Sequence, residues 1–275
     1  MRRGWYILHC VGVSESKDSG KTNEDAYWFD EKKGIVIVAD GLGGQNAGEI
    51  ASDFVVKKAG EYLSSFWNNL SENYPCNSSL ISSLIKKGLQ ECVLMLNDSL
   101  VKKSYEDPRY REMGSTIVIG FLWQDTMHFV NSGDSRAYII DSKKIKQITE
   151  DHSFVASLLR KGKLTEDEAR QHSNRHILLS HLGLSHQELM FSLKMISLKF
   201  GDRILFCTDG LTDVLSDYEI YEEVKKDATI QTICERLITL VNKKGRIDDI
   251  TVVLAEFNKN IDQISPGKKI RKHYP

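Results

Sequence analysis

Five places in the chain set a carboxylate at the edge of an apolar run, and the fullest of them is the stretch GIVIVADGLGGQNAGEIAS, from Gly34 to Ser52. Ile35 to Ala39 are uninterrupted apolar residues rich in β-branching, the pattern of a short strand buried on both faces. The run stops on Asp40, and four of the next eight residues are glycine: Gly41, Gly43, Gly44 and Gly48. Asn46-Ala-Gly-Glu49 then has the residues of a helix start, with Asn46 as cap and Glu49 reaching back. A carboxylate held at a rigid strand end, with bare backbone beside it, suits cation binding and the approach of a phosphate. The competing reading is an Asp-Gly turn that only reverses the chain. The segment Arg203-Ile-Leu-Phe-Cys-Thr-Asp209-Gly210-Leu211 repeats the sense of Ile37-Val-Ala-Asp40-Gly41-Leu42. Gly133-Asp134, Asp248-Asp249 and Glu24-Asp25 add three more acidic edges. Each alone reads equally well as an exposed turn or a cap. Brought together they would repel one another, and a divalent cation is the usual remedy. All-oxygen donors favour Mg²⁺ or Mn²⁺ over zinc or copper.

The elements that must position these groups come in runs. Strands are predicted over 5–13, 22–29 and 35–39, then helices over about 47–63 and 78–105, joined by a polar connection at 64–77 that contains Pro75. The first helix has an apolar face of Ala47, Ala51, Phe54, Val55 and Tyr62. Strands return at 116–123 and 127–131, with a hairpin over 136–141 and 144–148. Residues 151–185 differ: they are mixed, basic and carry His152, His172, His176 and His181. A capping box, Thr165-x-x-Glu168, marks one short helix there, and the segment reads as a mobile flap over the surface. Strands at 191–198 and 203–208, helices at 216–226 and 230–243, and a strand at 250–257 complete the set. Strands joined by hairpins, with helices in pairs, predict α+β layers of antiparallel sheets with helices outside. One domain over 1–258 is expected, followed by a basic tail, 259–275, with Lys268, Lys269, Arg271 and Lys272. That tail is expected to be disordered or to serve as a docking segment.

The totals narrow the class. The chain has 275 residues, enough for a large core without staples. Its 37 basic and 38 acidic side chains nearly cancel, so charge points to neither nucleic acid nor a membrane surface as partner. Five cysteines (Cys10, Cys76, Cys92, Cys207, Cys234) are scattered without a Cys-x-x-Cys, which favours reduced, buried thiols over a disulfide frame or a zinc site. No signal peptide or membrane span is legible. The expectation is a soluble, cytoplasmic protein.

Eight motifs in order carry a specific resemblance: Asn23-Glu24-Asp25, Ala39-Asp40-Gly41-Leu42-Gly43-Gly44, Gly48-Glu49-x-Ala51-Ser52, Gly114-Ser115-Thr116, Asn131-Ser-Gly133-Asp134-Ser135-Arg136, Thr149-x-Asp151-His152-Ser153, Thr208-Asp209-Gly210-Leu211 and Asp248-Asp249-Ile250-Thr251. Over residues 5 to 257 the chain resembles the metal-dependent protein phosphatases of the 2C (PPM) type, in the compact bacterial form. The resemblance implies a four-layer αββα sandwich, two antiparallel sheets flanked by helix pairs, with a two-metal site at one edge. It implies Mn²⁺ or Mg²⁺, two ions and a weaker third. Asp40 would bridge two ions, with the Gly41 carbonyl also reaching one. Asp209 and Asp248 would bind the first, and Glu24 and Asp25 would serve the second. Asp134, with Asp209, would hold the third. The implied reaction is hydrolysis of phosphoserine and phosphothreonine on proteins by a metal-bridged water, with Asp40 and Asp25 as catalytic residues. The implied partners are phosphoprotein substrates and a cognate Ser/Thr kinase. A binding module without turnover and a metal-dependent nuclease are the alternatives.

Three positions depart from the family pattern. Where relatives carry a phosphate-gripping arginine, three residues before the Asn of Asn-Glu-Asp, this chain has Gly20. Lys21 or Lys17 is the available substitute, a point charge in place of a two-pronged clamp. Leu42 and Gln45 stand where relatives often place a histidine that protonates the leaving oxygen. Water or a flap histidine, His152 first among them, is left for that role, although a structural hydrogen bond is the favoured reading of His152. Asp249 replaces an asparagine and adds negative charge beside the metals.

Overall fold

A computed structural model describes residues 6–18, 20–43, 47–74 and 79–259. The expectations for Asn46, Gln45 and Cys76, and for the tail beyond Lys259, lie outside the described residues. Among the described residues, eleven strands form two antiparallel sheets. One sheet has the order β1 (Tyr6–Glu15), β11 (Ile250–Lys259), β10 (Arg203–Cys207), β7 (Arg136–Ile140) and β8 (Ile145–Gln147). The other has the order β2 (Asp25–Asp30), β3 (Ile35–Leu42), β5 (Ile117–Trp123), β6 (Thr126–Ser132) and β9 (Ser192–Ser197), with the two-residue β4 (Gly114–Ser115) paired to the end of β3.

Strand periodicity explains the layering, because successive side chains point to opposite faces. On β3, Ile35, Ile37 and Ala39 pack against the long helices α1 (Ala47–Asn73) and α2 (Ser79–Glu106), while Val36 and Val38 face the other sheet. On β10 and β11, Leu205, Cys207, Val252 and Leu254 meet the outer helices α6 (Asp217–Val224) and α7 (Ile230–Lys244), and Ile204, Phe206, Val253 and Ala255 fill the space between the sheets. The result is helix, sheet, sheet, helix. All five residues from Ile35 to Ala39 are fully buried, as their unbroken apolar run predicts.

Two expectations need correction. Helix α1 does not stop near residue 63 but continues to Asn73. Phe66 stacks on Tyr62 and packs on Phe121, Trp67 meets Trp123 edge-on, and Leu70 is buried. Ser65, Asn68, Asn69 and Asn73, which read as a connection, are the solvated face of that stretch, and tertiary packing overrides their propensity. The segment 151–185 is also more than a surface excursion. It contains two helices, α3 (Phe154–Arg160), capped by Ser153, and α4 (Glu166–Gln171), with the predicted Thr165–Glu168 capping box. Its ends are woven into the body: Leu179 N–H donates to the His152 carbonyl (2.7 Å), Leu182 N–H to the Ser115 carbonyl (2.8 Å), and Gly183 N–H to Asn97 Oδ1 (2.8 Å). A short helix not foreseen, α5 (Asp209–Thr212), follows β10 directly.

Candidate active site

Antiparallel pairing places the starts of β2 and β11 and the ends of β3, β6 and β10 at one rim of the sandwich. Asp25 and Asp40 are directly opposed in the β2–β3 register. Asp134 follows β6, Asp209 follows β10, and Asp248 precedes β11. The Asp40 backbone is pinned from two sides. Its N–H donates to Thr116 Oγ1 (2.9 Å), and its carbonyl accepts from Thr116 N–H (2.8 Å) and Ser115 Oγ (3.1 Å). Thr116 Oγ1 also bonds Ser135 Oγ at 2.6 Å, which ties the Asp134 turn to the Asp40 strand. Thr208 Oγ1 donates to Asp25 Oδ2 (2.8 Å) and accepts from Thr251 N–H (3.0 Å), so one hydroxyl links both sheets. Two glycines permit the convergence. A Cβ at Gly41 would lie 2.0 Å from the Gly48 carbonyl oxygen, and one at Gly210 would lie 1.9 Å from that of Asp249. Any larger residue would push apart the loops that carry the acids.

The electrostatics are those of like charges forced together. Burial pushes the Asp40 carboxyl well above the usual range, and Asp25, Asp209, Asp134 and Asp248 push it further. Asp209 is raised in the same way, by burial first and then by Asp134, Asp213 and Asp248. Asp25 and Asp134 are each pushed up to about 7, burial being the main cause in both. Glu24 is raised by burial and by Asp249, Asp248 and Glu49. Desolvation without compensating cations produces such shifts. Two oxygens show the same need directly: Asp25 Oδ1 and Asp209 Oδ1 are buried and accept no hydrogen bond, a costly state for an acceptor unless something else binds it. The donor set is wholly oxygen, crowded and negative, so these residues fit Mn²⁺ or Mg²⁺.

A pH dependence follows for the protein stripped of metal. Groups with raised pKa bind more protons folded than unfolded between about pH 4 and 7, so stability falls as pH rises through that window. The chelator-treated chain should therefore melt several degrees higher at pH 5.5 than at pH 7.5, and saturating Mn²⁺ should remove or reverse the difference. A flat or opposite trend without metal, followed by calorimetry, would contradict the crowding.

Other sequence-predicted residues are placed differently. His152, at the start of the flap, is buried, with Nδ1 accepting from Gly133 N–H (3.2 Å) and Nε2 against Ser192 Oγ (3.0 Å). Both ring nitrogens are occupied, so its geometry is that of a structural residue and not of a substrate contact. Lys21 is exposed, its Nζ 2.8 Å from Asp18. Asp249 adds its charge to the site, where it joins burial in raising Glu24 and Asp25, and is also tied to backbone. Its two oxygens accept from the Lys17 and Glu24 backbone N–H groups at 2.6 and 2.7 Å, which locks the loop that presents Glu24. The sequence reading gives no role to three residues at the site, although Arg136 stands in one of its motifs. Asp213 stands four residues after Asp209, a helical spacing that was there to be seen. Arg136 makes a buried, two-pronged bridge to Asp151 (Nη2 to Oδ2, 2.7 Å). Arg175 approaches Asp213 from the flap (3.7 Å).

Fold and rim together define the class of protein, a metal-dependent phosphohydrolase built on a four-layer sandwich. The family model for protein phosphatase 2C matches residues 13–250. The serine/threonine phosphatase Stp of Listeria innocua is 33% identical over 247 residues, 90% of this chain and 88% of that protein. Among solved structures, serine/threonine phosphatase Stp1 from Staphylococcus aureus superposes with a TM-score of 0.78 at 30% identity, covering 90% of this chain and 94% of Stp1. The catalytic domain of the phosphatase PstP, solved with two manganese ions, gives 0.76 at 28% identity, covering 92% of this chain and 99% of that one. The chain belongs to the protein phosphatase 2C family. It is a metal-dependent protein phosphatase, and the reading as a mere binding module is not favoured. Among the described residues no helix is long and apolar enough to cross a membrane.

Proposed function

We propose that the chain hydrolyses phosphoserine and phosphothreonine in proteins, with Asp40 at the centre of the site. The observation that carries this reading is the convergence of Asp25, Asp40, Asp134, Asp209 and Asp248 on one rim, with two buried carboxylate oxygens lacking donors. Asp40 with Asp209 and Asp248 would hold the first divalent ion, and the Gly41 carbonyl would also reach one of the two. Asp40 with Glu24 and Asp25 would serve the second, and Asp134 with Asp209 a third. Two such ions, when bound, supply the activated water and the positive charge that phosphoryl transfer needs. The protein's part is to hold the acids rigid and to leave the rim open, so that a phosphorylated side chain on a backbone can enter. Asp25, held by Thr208 on one oxygen and open on the other, is suited to orient the attacking water. Leu42 has no proton to give and His152 is fully engaged, so solvent water is assigned to protonate the leaving oxygen.

We assign phosphate gripping in place of the arginine absent at Gly20 to Lys21, on the loop next to Asp249. The expected partners are phosphoproteins and a cognate Ser/Thr kinase, and the expected compartment is the cytoplasm. The four buried free thiols, Cys10, Cys92, Cys207 and Cys234, are consistent with a reducing environment. One assay tests the function: phosphate release from phosphothreonine and phosphoserine peptides with Mn²⁺, with Mg²⁺, and with chelator. Turnover with metal and none with chelator is expected, and Lys21→Ala should raise KM severalfold with a smaller effect on kcat. Absence of release under any metal would refute the assignment, and an unmoved KM would remove Lys21 from the binding site.

A further inference from the structure

The flap meets the acidic rim through an imidazole. His176 lies beyond α4, and its Nδ1 is 3.7 Å from Asp213 Oδ2. One ligand atom from each of His176, Asp209 and Asp213 lies within 4.8 Å of the others. Asp209 opens α5 and Asp213 is its C-cap, so the two carboxylates rise from one face of a single turn. Asp209 Oδ1 is buried with no hydrogen-bond donor. Arg175 Nε is also 3.7 Å from Asp213 Oδ2. Both contacts are ion-pair distances, longer than a hydrogen bond. Asp209 and Asp213 also line a cavity of about 670 Å³ bordered by residues of α3 and α4.

We propose that His176 is a metal ligand: with Asp209 and Asp213 it holds a divalent transition metal in a mixed nitrogen–oxygen site, and binding of that ion latches the flap to the catalytic rim. The inference rests on the reading of Asp209 as a metal ligand and adds a residue from the flap to it. Ligand atoms around one ion with bonds of about 2.0–2.2 Å stand up to roughly 4.4 Å apart, so a contraction of a few tenths of an ångström completes the set. His176 and Asp213 are the exposed members and are the ones able to move. An imidazole donor also changes the preference of the site. It favours Mn²⁺, Co²⁺ or Ni²⁺ over Mg²⁺, whereas the all-oxygen positions around Asp40 accept Mg²⁺ readily. Of the other flap histidines, His152 is bonded at both nitrogens, and His172 and His181 at Nδ1. A nitrogen signal from a bound ion is assigned to His176 by its loss in His176→Ala.

The test is Mn²⁺ titration of the purified full chain, read by electron spin-echo modulation from directly bound ¹⁴N. The expected result is a nitrogen coupling that grows in with the weakest-binding ion. It should vanish in His176→Ala and in Asp213→Asn, and the affinity of that ion should fall by about tenfold or more. Tryptic cleavage at Lys161 and Lys163 should slow on Mn²⁺ addition in the wild type and not in His176→Ala. Absence of nitrogen coupling in the wild type overturns the proposal and leaves His176 as an ion-pair partner of Asp213. Coupling that persists in His176→Ala overturns it too. Phosphate release is measured separately, so a chain that turns over without nitrogen coupling loses the latch and keeps its function.

Discussion

Asp40→Asn should abolish phosphate release while making the metal-free protein more stable. The two effects share one cause. Asp40 sits where Asp25, Asp209, Asp134 and Asp248 all raise its pKa, so in the absence of cations its charge opposes folding at neutral pH. Asparagine keeps the shape, and the backbone bonds to Thr116 and Ser115 do not involve the side chain. Loss of the central carboxylate removes the group on which both ions depend. A loss of about 4 kcal/mol in transition-state stabilisation corresponds to a fall of about 10³ in kcat. Calorimetry with chelator should show a higher Tm for the variant than for the wild type, and added Mn²⁺ should raise the wild-type Tm by more. A purely structural Asp-Gly turn would give the opposite pair, unchanged turnover and an unchanged or lower Tm. Equal rates in the two proteins would overturn both the metal site and the function.

Arg136→Met should be the most destabilising single change near the site, because it strands a buried carboxylate. Asp151 accepts from the Arg136 guanidinium on both oxygens, and Oδ1 also accepts from Gln147 Nε2 at 2.7 Å. Arg136 further donates to Tyr138 Oη at 3.0 Å. Removal of one partner of such a pair costs about 3–5 kcal/mol, or roughly 10 °C in Tm for a domain of this size. The double variant Arg136→Met/Asp151→Leu should recover much of that loss, since the cost lies in the unpaired charge. The effect reaches function as well. Asp151 begins the flap, where the Arg160 guanidinium holds its carbonyl (3.0 Å), and the positive charge of Arg136 partly offsets the crowding on Asp134. Third-ion affinity should therefore fall along with Tm. A single variant as stable as the wild type would show that the bridge contributes nothing, as many exposed pairs do.

Much of this protein is legible residue by residue. Ile35 to Ala39 read as a doubly buried strand because nothing in the run tolerates water, and Asp40 was marked by ending it. The capping box of α4 is legible because a cap needs only residues three apart, and the one that the structure adds at α6, Ser216 with Glu219, is just as local. The acidic set was identifiable as a set because each member ends or begins an apolar run. What stayed hidden depended on distant partners. Thr208 reaches Asp25 across 183 positions of sequence, and Arg136 reaches Asp151 across 15. The structural hydrogen bond favoured for His152 has partners only in the fold, where Gly133 and Ser192 take both its nitrogens. Asp249 reads in the sequence as an extra charge, and it does help to raise Glu24, but the two backbone amides that hold it appear only in the fold. The length of α1 was misjudged because Phe66 and Trp67 find Phe121 and Trp123 only in the folded chain.

Local chemistry, then, was enough to say which carboxylates end strands and that cations would be needed to gather them. Only the folded arrangement could set which acid faces which, because register is a property of paired strands: Asp25 opposes Asp40 through the β2–β3 ladder. The same holds for the flap. Its composition announced histidines, but burial took His152 out of the chemistry, and the turn of α5 brought Asp213 up beside His176. Side-chain type is written in the chain, whereas burial and the neighbours that shift a pKa or claim a lone pair come into being when distant segments pack.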